Sequence, residues 1–81
     1  MLLTDDQIVA AISEAFRPFH CTIEILPGRL VRFKVRKQWT RMSIYEEPGI
    51  PIEAMREESD LRELLRSVRL VLAKRGYRLS P

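Results

Sequence analysis

Between Val31 and Arg36 the chain alternates without a break. Val31, Phe33 and Val35 are apolar, and Arg32, Lys34 and Arg36 are basic. An extended strand turns successive side chains to opposite faces, so this segment demands a sheet with one apolar and one cationic side. The first side must be covered; the second must meet water, an acidic row or an anionic partner. The cationic bias also runs beyond the strand. Residues 29–41 include Arg29, Lys37 and Arg41 as well, and no acid.

A cover for the apolar side is written into the two ends of the chain. Thr4 followed by Gln7 makes a capping box, and Leu3 and Ile8 fit the hydrophobic staple around it. Asp5 and Asp6 place negative charge against the positive end of the helix dipole. Ile8, Ala11, Ile12, Ala15 and Phe16 then recur at helical spacing, which predicts a helix over 5–17 ended by Pro18. Near the other end, Leu61, Leu64, Leu65, Val68, Val71 and Leu72 form a second stripe. Ser59 or Asp60 is the expected cap of this second helix, and Gly76 its stop.

Between the helices, 21–26 alternates and is followed by Leu26-Pro27-Gly28-Arg29, a type II turn signature that leads into a return strand at 30–37. Apolar parity then changes from odd (31, 33, 35) to even (Met42, Ile44). A tight turn near Lys37-Gln38-Trp39 and a third strand at 40–46 explain the change; a bulge in one long strand would also explain it. Glu46-Glu47-Pro48-Gly49 reads as the close of the sheet, and 48–58 as a connection with one helical turn after Pro51. The expected fold is a single α+β domain over 1–81 in the order α-β-β-β-α. It is a three-stranded antiparallel meander with two helices packed on one face.

Composition narrows the class of protein. With 81 residues and a hydrophobic fraction of 46%, the chain can hold one small core, which pairing with a second copy would reinforce. The lone Cys21 excludes an internal disulfide framework. No stretch approaches the roughly 20 apolar residues that span a bilayer, and the first residues lack a signal-peptide pattern. The expectation is a cytoplasmic protein with no membrane partner. Net charge is only +3, yet 46–63 holds seven acids against two arginines and 66–78 carries Arg66, Arg69, Lys74, Arg75 and Arg78 with no acid.

The segment Ala15-Phe16-Arg17-Pro18-Phe19-His20-Cys21 stands at a helix-to-strand junction. With the glycine-led hairpin, the Val-Arg-Phe-Lys-Val strand, Pro48-Gly49-Ile50 and Leu64-Leu65-Arg66-Ser67-Val68-Arg69, it resembles a group of short bacterial proteins classed as a domain of unknown function. Members of that group read A-F-x-P-L-x-C at the junction. Arg36-Lys37-Gln38-Trp39 departs from the group's glycine-bearing turn. The resemblance implies the fold and brings no catalytic or binding residue.

Chemistry-bearing residues are sparse. His20 and Cys21 are strand neighbours and so point to opposite faces, which keeps them from sharing an ion or a proton; Cys21 reads as a small buried hydrophobe. The acids at 46, 47, 53, 57 and 58 lack the ligand alternation and central glycine of a calcium loop. The chain has no phosphate-cradling glycine loop and no nucleophile with a base, so neither catalysis nor a cofactor or metal is expected. The constellation above background is the basic strand face: Arg32, Lys34 and Arg36, with Trp39 near the turn and Arg41, Ser43 and Tyr45 joining from the third strand. Three outcomes are open for it. Glu24 and loop acids neutralise it, a protein or a second copy packs on it, or nucleic acid binds it. A protein partner or homodimer is the expected use, and nucleic acid the alternative. The element order is also that of the double-stranded RNA-binding domain, but Glu57-Glu58-Ser59-Asp60 would repel phosphates where that fold docks them.

Overall fold

A computed structural model describes residues 2–37 and 40–79 of the chain. The order of elements is α1 (Asp5–Ala15), β1 (His20–Leu26), β2 (Leu30–Arg36), β3 (Ser43–Pro51), a 3-10 turn (Ile52–Met55) and α2 (Glu58–Lys74). The sheet is antiparallel with strand order β1-β2-β3, and both helices cover its apolar side. The α+β meander expected from the sequence is the observed fold.

α1 begins as its residues demand. Thr4 accepts a hydrogen bond from the Gln7 amide while the Gln7 side chain accepts one from the Thr4 amide, which completes the capping box. The helix ends at Ala15, with Phe16 as its C-cap, and the Arg17–Pro18 bond is cis.

β1 and β2 pair in unbroken register from Leu26↔Leu30 to His20↔Arg36. The Arg29 amide donates to the Leu26 carbonyl at 3.2 Å, and Gly28 takes the positive φ (82°) that a type II turn requires. Arg29 is left-handed too, with φ 59°, and its carbonyl accepts from the Ile52 amide at 2.9 Å.

β3 departs from expectation. It starts at Ser43 rather than 40 and runs through Pro48-Gly49 to Pro51 instead of closing at 46. Its register with β2 shifts twice, once between Val31 and Phe33 and once between Val35 and Arg36. Each shift fits one extra residue into β3, a bulge. The strand survives its prolines because β3 is a sheet edge, where a missing N–H costs no ladder bond. The turn expected at Lys37-Gln38-Trp39 lies partly outside the described residues; on its flanks the Thr40 amide donates to the Lys37 carbonyl at 3.3 Å.

α2 starts one residue before Ser59, and neither Ser59 nor Asp60 caps it. Glu57 occupies the N-cap position without a side-chain bond. Its extended backbone is held instead by a bridge to Leu2, so pairing to the start of the chain sets the entry of the helix. The other end follows the glycine rule. Gly76 has φ 92°, its amide bonds the Ala73 carbonyl, and the Tyr77 amide bonds the Leu72 carbonyl, a complete Schellman motif.

The core lies between the helices and the odd-numbered face of β2. Ile8, Ile12, Phe16, Val31, Phe33, Val35, Ile52 and Leu72 have no exposed surface, and Leu61, Leu65 and Val68 pack with them. Phe16 stacks on Phe33 with ring centroids 5.7 Å apart.

Candidate functional site

The regular pairing of β1 with β2 places Arg32, Lys34 and Arg36 on the uncovered side of the sheet, opposite Glu24, Thr22 and His20. Each cation is half-buried among its neighbours rather than projecting freely. Arg32 Nη2 donates to Glu24 Oε2 at 2.8 Å, and Lys34 Nζ stands 3.8 Å from Glu46 Oε1. The register makes these pairs, since Glu24 faces Arg32 across one edge of β2 and Glu46 faces Lys34 across the other. Arg36 has His20 and Ser43 beside it and no acidic partner among the described residues. Nε of Arg32 and Nε of Arg36 are both covered and unbonded.

The other expected members of this face do not join it as a row. Tyr45 sits on the opposite, core-facing side. It pairs with Val35 and stacks on Phe33 at 6.0 Å. The cause is the bulge at Ile44, which inserts one residue and turns the side chains over as far as the second shift. The Tyr45 hydroxyl donates to Glu47 at 3.2 Å, and burial together with the Glu47 charge raises its pKa above the ordinary 10.0. Arg41 precedes β3 and is exposed, so it extends the positive region without lying in the strand row. Ser43 does share the open face, opposite Arg36. Trp39 lies outside the described residues.

Elsewhere the polar chemistry is structural. Asp5, Arg29, Glu53 and Arg56 form a cluster that ties α1, the β1–β2 turn and the 3-10 turn together. Arg75 Nη1 donates to the Ile44 carbonyl at 2.9 Å, and Arg69 Nη1 to the Ala15 carbonyl at 2.6 Å. Cys21 packs against the core, and burial pushes its thiol up to about 11. No group of three or more metal-ligating side chains gathers among the described residues. No helix among them is long and apolar enough to cross a membrane.

One structural feature escaped sequence reasoning, the inequality of the two sheet edges. β1 is a seven-residue strand with no proline and no register shift. Among the described residues its backbone hydrogen-bonds only within the β1–β2 hairpin. β3 carries Pro48, Pro51 and both shifts. The signal available in advance was the pair of prolines three residues apart. No known protein family, curated protein or solved structure matches this chain.

Proposed function

We propose that this chain is a small non-enzymatic protein-interaction module that takes up an extended segment of a protein partner along the outer edge of β1. The inequality of the sheet edges carries this reading. A row of free main-chain donors and acceptors recruits another strand, whereas prolines and bulges discourage it. β1 offers that row in unbroken register, and Ile25 beside it keeps 47% of its surface exposed for apolar contact. The acids beside Arg32 and Lys34 support the same reading, because Glu24 and Glu46 lower the positive potential that would draw phosphates to that row.

A second reading, nucleic-acid binding, is favoured by one observation. Arg36, Lys37 and Arg41 stand near one end of the sheet with no acidic partner among the described residues.

Site-directed photo-crosslinking separates the two. A photoreactive side chain in place of Ile25 is expected to give a discrete protein adduct in cells, and one in place of exposed Met42 is not. Equal adducts at both positions, or none at Ile25, would overturn the β1 reading. Oligonucleotide binding at low salt, with a salt slope that flattens by about 0.7–0.9 in Arg36→Ala, would select the second reading.

A further inference from the structure

α2 carries two stripes, and only one of them is used by the core. Leu61, Leu65, Val68 and Leu72 are buried. On the adjoining flank Asp60, Leu64, Ser67, Val71 and Lys74 follow at steps of four, three, four and three, the spacing that holds side chains on one line of a helix. Leu64 is half-buried and the other four are exposed. Val71 keeps 38% of its surface and Leu70 beside it 55%. Asp60, Glu63 and Lys74 have no ion-pair partner among the described residues, whereas Glu58 and Arg62 on the far flank pair with each other at 2.9 Å.

The charged ends of the stripe stand at equal distances from Ser67 with opposite sign: Asp60 lies seven residues before it and Lys74 seven after. Leu64 lies three before it and Leu70 three after, while Val71, four residues after, has Glu63 as its counterpart. Seven helical residues span about 10.5 Å, so the two opposite charges stand equally far from the midpoint. Ser67 is small, and its hydroxyl already donates to the Glu63 carbonyl at 3.0 Å. It therefore permits close approach of a second helix without leaving a polar group unbonded.

We propose that two copies of this chain pair through α2, antiparallel, across a two-fold axis at Ser67. Each Asp60 then faces Lys74 of the other copy, and each Leu64 packs near Leu70 and Val71 of the other copy. The direction follows from the charges. A parallel pair would set Asp60 against Asp60 and Lys74 against Lys74, whereas the antiparallel pair makes both contacts attractive and opposes the helix dipoles. The patch is confined to one face of a 17-residue helix, so the dimer is weak and sensitive to salt. This surface is separate from the β1 edge and stands independently of the function proposed above.

Sedimentation equilibrium of the full chain, at low and high salt, tests the proposal. A reversible dimer that weakens with salt is expected. Each contact occurs twice in a symmetric pair, so Asp60→Lys and Lys74→Asp should each weaken dimerisation about tenfold. The double variant Asp60→Lys/Lys74→Asp should return it to within a few-fold of the parent, while Ile25→Lys leaves it unchanged. Circular dichroism of each variant checks that α2 is intact. A chain that stays monomeric at millimolar concentration overturns the proposal. So does a double variant that fails to recover, or a dimer lost in Ile25→Lys and indifferent to the charge changes.

Discussion

Arg56 and Leu3 hold each other in both directions. The Leu3 amide donates to the Arg56 carbonyl at 2.8 Å, and Arg56 Nη1 donates to the Leu3 carbonyl at 3.1 Å. The same guanidinium reaches Asp5 and Glu53, so one side chain with 18% of its surface exposed ties the entry of α1 to the 3-10 turn. This clasp links residues 53 apart in sequence, and the extended backbone that starts α2 follows directly from it.

Arg56→Ala should therefore lower the thermal midpoint more than Arg62→Ala, whose partner Glu58 lies one helical turn away on an open surface. The clasp also has an acid limb. The hydrogen bond from Arg56, joined by one from Arg29 and opposed by burial, holds the Asp5 carboxyl below its ordinary 3.8. A folded-state pKa below the unfolded one gives stability that is complete above the unfolded value and lost as pH falls through the lowered one. Melts of the parent and Asp5→Asn from neutral pH to about pH 2 should show a shallower acid decline in the variant. An unchanged acid limb would remove Asp5 from the account.

Phe16→Ala removes a fully buried ring stacked on Phe33 and should cost about 3–5 kcal/mol. Leu65→Ala should cost about 2–5 kcal/mol by the same loss of contact and the cavity left behind. Arg32→Ala gives up an ion pair on the open face and should cost less than about 1 kcal/mol. Urea denaturation of the three variants reads these values directly. An Arg32→Ala loss as large as that of Phe16→Ala would mean that the open face is covered.

Cys21 should behave as packing rather than as a reagent. Burial raises its thiol to about 11, so the folded chain keeps it protonated and slow toward iodoacetamide at pH 8, while unfolding in urea should speed alkylation sharply. The folded state holds this proton more tightly than the unfolded state, where 9.0 applies. Its contribution is then fully present below pH 9 and is lost as pH rises toward 11. Equal alkylation rates in native buffer and in urea would contradict this.

Local chemistry made much of the fold legible. The Thr4–Gln7 box, the Pro27-Gly28 turn, the Gly76 stop and the alternation of β2 each act over a few residues, and each is found where it was read. The misplacements share a different origin. Strand parity carried forward from Ser43 puts Tyr45 on the basic face, and the bulge at Ile44 reverses that parity without any mark in residue type. Pro48-Gly49 has turn chemistry, yet its position on an edge strand made the proline harmless there. Ser59 and Asp60 are good caps in isolation, but the start of α2 is decided by Leu2, far away in sequence. The candidate face was half legible for the same reason. Arg32, Lys34 and Arg36 were found from their own spacing. The Lys34–Glu46 pair depends on a register that only the folded β3 defines.

Pro48 and Pro51 also decide how far any assembly built on this sheet can grow. A strand that joins β1 extends the sheet in one direction only, because the opposite border is broken by two register shifts and by the missing N–H donors of Pro48 and Pro51. In polymer terms the chain is monofunctional along the hydrogen-bonding axis: it terminates a growing sheet instead of repeating it. Two such units joined edge to edge would bury both β1 borders and leave only the bulged β3 borders facing outward, so the sheet itself stops growing.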